Sequence, residues 1–168
     1  MIDKGELHKG HPETYNAFPV TRMAQSNNGW ETHKNNVKNN LATMFGATHS
    51  ALASYYPPGG FVGWHTNWNC STYQILFTWS ETGDSYFLYK DTETGEIEKI
   101  QERAGWQAHC VYFGSQEEPN QIFWHAAYTN CERFAWALSW KNKSTYGTKK
   151  DRSVRQLVEM VIDEIQQN

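Results

Sequence analysis

From residue 49 to about residue 141, apolar and polar side chains alternate in short runs that stop at clusters of Gly, Pro, Asn, Asp or Ser. Such alternation is the mark of half-buried strands separated by turns. It predicts strands at 49–56, 61–65, 72–79, 85–90, 96–101, 107–113, 121–128 and 132–140. A Pro-Pro-Gly-Gly turn lies between the first two, and the stretch from Asp91 to Gly95 is a longer hairpin connection between the fourth and fifth. Eight short strands at this spacing indicate a sandwich or a jelly roll. The flanks read differently. Residues 1–29 are polar and turn-rich, an extended lead-in. Asn28 followed by Glu31 resembles a capping box, and Trp30, Val37, Leu41 and Met44 fall on one helical stripe that ends at Gly46. Beyond the strands, Val154, Leu157, Val158, Val161, Ile162 and Ile165 repeat at helical spacing behind a possible cap at Asp151. The expected architecture is mainly β, a single domain: lead-in and first helix at 1–48, a jelly-roll core at 49–141, and a C-terminal amphipathic helix within 142–168 packed on that core.

Composition sharpens this picture. Only 39% of the 168 residues are hydrophobic, but 15% are aromatic, with eight Trp and nine Tyr to carry the burial. The formal net charge of −3 creates no field that would attract nucleic acid or an anionic membrane. No apolar run approaches the roughly 20 residues needed to span a bilayer, and the N-terminal MIDKGELHKGH has no signal core. The expectation is a soluble, cytoplasmic protein whose partner is a small molecule or a peptide. Three cysteines without a CxxC spacing, Cys70, Cys110 and Cys131, read as buried thiols rather than a disulfide framework.

The unusual chemistry centres on Tyr55 to Trp68, YYPPGGFVGWHTNW. Its strand stops near His65, and period-2 alternation would put the Asn67 side chain on the same side. A histidine and an oxygen donor on one face are two-thirds of a facial metal site. His125 lies in the seventh predicted strand, which in an eight-stranded jelly roll neighbours the second. Two neutral imidazoles on adjacent strands suit iron, manganese, copper or zinc. His8, His11, His33, His49 and His109 sit at unmatched positions and read as structural or solvated. Arg133 opens an apolar strand, RFAWALSW, where an unpaired guanidinium is costly, so it needs an anion: a protein carboxylate or a ligand. Trp64, Trp68, Trp79 and Trp124 flank the site in sequence, as pocket walls or as core.

Together, the tyrosine, the Pro/Gly turn, the strand ending in His-x-Asn, the Gly-containing turn at Thr82 to Phe87, the distal His125 and Arg133 resemble the iron(II)- and 2-oxoglutarate-dependent dioxygenases. Within that superfamily the chain is similar to small prolyl-4-hydroxylase-type members, including short ones encoded by marine bacteriophages. The resemblance covers residues 49 to 141 and implies a double-stranded β-helix. It implies Fe(II) held by His65 and His125, 2-oxoglutarate as co-substrate with its distal carboxylate on Arg133, and Tyr56 lining the co-substrate pocket. It also implies hydroxylation of a C–H bond in a peptide side chain or other small group, in a host cytoplasm if the chain is phage-encoded.

One position departs from the pattern. Where those enzymes carry His-x-Asp, this chain has Asn67, whose amide oxygen is neutral and holds a cation less strongly. Three explanations compete: Asn67 ligates through its carbonyl oxygen; the third position is filled by water, an anion or another side chain such as Asp84; or the iron chemistry is lost. Two alternatives to the oxygenase follow, a non-catalytic jelly-roll binding module and a cupin-like metal protein that does not use 2-oxoglutarate.

Overall fold

The computed structural model describes residues 12, 14–19, 36, 39–47, 49–67 and 71–140, without the side chains of 49–52. Ten strands run in chain order: β1 Tyr15–Asn16, β2 Phe18–Pro19, β3 His49–Tyr56, β4 Phe61–His65, β5 Thr72–Ser80, β6 Ser85–Lys90, β7 Ile97–Gln101, β8 Gly105–Phe113, β9 His125–Thr129 and β10 Arg133–Ser139. They form two five-stranded sheets, ordered β1-β4-β9-β6-β7 and β2-β3-β10-β5-β8. Every pairing is antiparallel. From β3 onward the chain passes back and forth between the sheets, an order compatible with a jelly roll.

The eight core strands fall where alternation predicts them, with two differences. The seventh does not begin at residue 121: a single 3-10 turn at Pro119–Gln121 comes first, and pairing starts at His125. Proline at the head of that segment lacks the N–H a ladder needs, which favours the turn over the strand. The lead-in, expected to carry no regular structure, supplies β1 and β2, each adding two residues to a sheet edge. Residues 39–44 are helical, as the first helix requires. That helix stops at Gly46, whose φ of 62° allows Ala47 N–H to reach Ala42 O and Gly46 N–H to reach Thr43 O, a Schellman stop. The start of this helix, the C-terminal helix and Cys70 lie outside the described residues.

The two sheets face each other across a polar interior. Arg133 and Ser80 on one sheet meet Glu102 and Ser85 on the other. At the opposite end the rings of Phe113 on β8 and His125 on β9 lie 5.0 Å apart. Between these ends the inward positions include small side chains, Ser54, Ala127, Ala135 and Ala137, all buried. The aromatic residues that alternation places outward pack on the far faces. Trp64, Trp124, Tyr86, Leu88 and Tyr128 gather around Ala126, and Trp79 packs on Phe134. Of the two described cysteines, Cys131 is buried as expected, whereas Cys110 is exposed; its outward register opposite Ile75 explains the difference.

Candidate metal centre

His65 reaches the interior because β4 is irregular. Val62 pairs with Ala127 and His65 with His125, so three steps along β4 match two along β9. The extra residue is a β-bulge at Gly63–Trp64, and it shifts the alternation by one. Without it, Trp64 would face inward and His65 outward. Gly63 sits there against β1, donating its N–H to Thr14 O at 2.9 Å, and a Cβ at this position would lie 2.9 Å from Thr14 Oγ1. The preceding turn is held as firmly: Gly59 N–H donates to Thr129 O and Thr129 N–H to Gly60 O, each at 2.9 Å. Gly59 has φ 75°, and a side chain at Gly60 would meet Pro57 O at 2.6 Å. A small left-handed turn is therefore what seats the start of β4 against the end of β9.

The bulge brings the two imidazoles together, with ring centroids 4.0 Å apart and planes tilted by 49°. Both rings are oriented by the same device. His65 Nδ1 lies 2.9 Å from Gly63 O, and His125 Nδ1 lies 3.1 Å from Phe123 O. A carbonyl only accepts, so each Nδ1 carries a proton, and in the neutral ring the lone pair is then on Nε2. That tautomer is the one a metal-binding histidine needs when Nε2 is the ligand atom. Burial holds His125 well below the ordinary imidazole range, and the neighbouring His65 pushes it the same way. Phe87, Phe113 and Phe123 enclose it.

The remaining site residues divide into those the fold brings to this pair and those it does not. β4 ends at His65, so strand alternation does not extend to Asn67, which lies two residues past the end and is half-buried. Among the described residues no three His, Cys, Asp or Glu side chains converge on one point. Asp84 is excluded as a substitute ligand. Tyr89 is the β6 residue opposite His125, which puts Asp84 five residues away along the strand direction, roughly 17 Å. Of the tryptophans that flank the site in sequence, Trp64 and Trp124 belong to the cluster on the far face of their sheet and Trp79 packs on Phe134, while Trp68 lies outside the described residues.

Arg133 is at the other end of the interior, since Thr129 lies four residues, roughly 13 Å, from His125 along β9. Of the two anions that it called for, the structure supplies the protein carboxylate. Nε donates to Glu102 Oε2 at 2.8 Å and Nη2 to Glu102 Oε1 at 2.6 Å. Arg133 is 1% exposed and Glu102 3%. Burial opposes both charges, but each group holds the other ionised: Glu102 is kept below the usual carboxylate range and Arg133 above its ordinary value. Tyr56 lies against the guanidinium, 4.8 Å from its ring centroid, so the tyrosine and arginine of the sequence motif do come together. Burial pushes the Tyr56 phenol up, and the guanidinium pulls it partly back. Nη1 of Arg133 makes no hydrogen bond.

The turn that resembles a Gly-containing motif builds this ion pair. Gly83, at φ 84°, passes so close to the chain opposite that a Cβ there would lie 2.9 Å from Ala104 N. Gln101 Nε2 clasps Gly83 O and Ser85 O, both at 2.9 Å, and Glu102 N–H donates to Ser85 O at 3.0 Å. Ser85 Oγ then donates to Glu102 Oε2 at 2.6 Å. Because Ser85 has one proton and the carboxylate can only accept, the 2.8 Å contact between Ser85 and Ser80 is a donation from Ser80. Glu102 went unnoticed in the sequence because it lies within the charged run EIEKIQER, which reads as a solvated face. His109 also faces the interior, with a buried Nε2 that has no hydrogen-bond partner, as does the buried Nε2 of Gln107. Both are on β8, opposite Leu76 and Thr78.

The donor set fits a divalent transition metal that accepts imidazole nitrogen. The residues do not fit the distal carboxylate of 2-oxoglutarate in the same way, because Glu102 already takes both parallel donors of Arg133. Among the described residues no helix is long and apolar enough to cross a membrane. No protein-family profile matches the chain, and no curated protein matches it. Among solved structures, a protein described as a predicted oxalate decarboxylase from Thermotoga maritima is 18% identical over 55% of this chain and 68% of its own, with a TM-score of 0.34. A likeness that distant assigns neither family nor activity.

Proposed function

We propose that this chain binds a divalent transition-metal ion through Nε2 of His65 and Nε2 of His125, and that the polar space between the sheets handles a small ligand beside it. One observation carries the reading: two histidines, opposite each other on adjacent strands, each fixed in the Nδ1–H tautomer by the carbonyl two residues back. A structural histidine requires one satisfied nitrogen, but nothing in packing requires two rings to lie 4.0 Å apart with both Nδ1 atoms turned to backbone carbonyls. Asn67 remains the sequence's choice for a neutral third donor. A bound metal would supply Lewis acidity or, as iron, dioxygen chemistry. The chain's own part is to orient the two imidazoles, keep His125 unprotonated, and enclose it in phenylalanine rings that exclude water.

Two versions of this metal protein differ at Arg133. The closed Arg133–Glu102 pair favours the cupin-like version, which does not use 2-oxoglutarate. The unpaired Nη1 of Arg133, together with the order His65, His125, Arg133, favours the Fe(II)- and 2-oxoglutarate-dependent oxygenase, acting on a peptide side chain or small molecule. We conclude for the former, because the stronger pair of donors is the one already used. The test is anaerobic titration with Fe(II), with and without 2-oxoglutarate. Iron binding that is lost in His65→Ala and in His125→Ala supports the metal reading, and unchanged binding in both refutes it. A visible charge-transfer band and succinate formation on adding 2-oxoglutarate would decide for the oxygenase.

A further inference from the structure

We infer that Glu102 is the resident anion of the interior: it stands where a ligand carboxylate would otherwise be held, so that Arg133 is closed to acidic ligands until Glu102 is removed. The argument starts from charge. Among the described residues Arg133 and Glu102 are the only buried Lys, Arg, Asp or Glu side chains, and they cancel. Geometry then separates a resident from a casual neighbour. A surface carboxylate that swings onto an arginine in the absence of ligand would keep its own solvent exposure and few other contacts. Glu102 is instead held by three hydrogen bonds, two from Arg133 and one from Ser85. Its backbone is pinned as well, through Glu102 N–H on Ser85 O and the Gln101 clasp on Gly83 and Ser85.

Displacing this carboxylate would also break the chain that continues from Ser85 to Ser80 and to Cys131 Sγ at 3.3 Å. An incoming carboxylate would have to reproduce both parallel donations, while Glu102, fixed 3% exposed by its turn, lost its partners without reaching water. Exchange is therefore opposed at both ends. The inference does not depend on the histidine pair holding a metal, because it concerns the far end of the interior.

The test uses the gap that Glu102→Ala would leave. In metal-free protein, formate or acetate should raise the thermal midpoint of Glu102→Ala above that seen with equal chloride, and leave the wild type unmoved. No response from a folded Glu102→Ala protein overturns the inference. A second measurement covers a variant that does not fold. In manganese-loaded wild type, 2-oxoglutarate should bind about as tightly as pyruvate, which has the same metal-chelating end but no distal carboxylate. A wild-type preference of about tenfold or more for 2-oxoglutarate, the least that a charge-assisted pair with Arg133 should give, overturns the inference. If neither acid binds because no metal does, the metal reading fails while the formate measurement still decides this one.

Discussion

Arg133→Met isolates the energetics of the interior ion pair. Methionine retains most of the arginine stem, so packing changes little, below about 1.5 kcal/mol for a swap near constant volume. What disappears is the partner of a carboxylate that is 3% exposed and loses two donors at 2.8 and 2.6 Å. Ser85 Oγ still donates to the carboxylate. Removing one member of a buried pair costs about 3–5 kcal/mol, because the other charge stays behind without hydration. For a chain of 168 residues that corresponds to a drop of roughly 6–20 °C in the midpoint, at roughly 2–4 °C per kcal/mol. The companion Arg133→Met/Glu102→Leu removes both charges and should recover most of the loss. Urea unfolding followed by tryptophan fluorescence measures all the variants. If Arg133→Met costs less than about 1 kcal/mol, or if the two single losses simply add in the double variant, the pair is not the buried, mutually dependent unit described above.

Three further outcomes are expected. Gly83→Ala should destabilise by at least about 1–2 kcal/mol, because position 83 has φ 84° and the new methyl meets Ala104 N at 2.9 Å; denaturation at the same protein concentration checks this. The metal-free protein should lose stability as pH falls through 6.5. The folded-state value of His125 is depressed below the 6.5 of the unfolded chain, so the unfolded state takes the proton first, by up to about 1.4 kcal/mol per pH unit for one group. A stability curve flat between pH 7 and 5 would show that His125 is not buried neutral. Asn67→Asp should tighten Fe(II) or Mn(II) binding if position 67 faces the metal, and an unchanged dissociation constant in calorimetry would remove it from the centre.

The strands were legible because their cause is local: alternation along one stretch of chain predicted all eight core strands. The histidine pair was legible at one remove, once the strands were counted, since strand order in a jelly roll makes the second and seventh strands neighbours. The bulge at Gly63–Trp64 was not, because a one-residue slip depends on the partner strand and on Thr14 approaching from β1. The end of β4 at His65 was legible, but the side on which Asn67 falls was not, because strand alternation does not carry past the last paired residue. Glu102 was hidden by its neighbours, Glu96, Glu98, Lys99 and Arg103, which make the segment look solvated. One clue was available: Arg133 on an apolar strand demands a carboxylate, and Glu102 continues the inward period from Ile100. His109 was set aside as unmatched, although its spacing from Phe113 places both on the inward face of β8. The late start of β9 was not legible: Pro119 lies ahead of the predicted strand, and the apolar residues 122–124 gave no sign that pairing begins only at His125.

The measurement closest to the heart of the proposed centre is nitrogen-15 NMR of the histidine side chains, before and after adding Zn(II), with His65→Ala and His125→Ala to assign two of the seven histidines. Both rings should be Nδ1–H tautomers in metal-free protein, and one equivalent of zinc should shift both Nε2 resonances together, an effect lost in either variant. Nε2–H tautomers at these positions, or Nε2 resonances indifferent to zinc, would contradict a metal centre at His65 and His125.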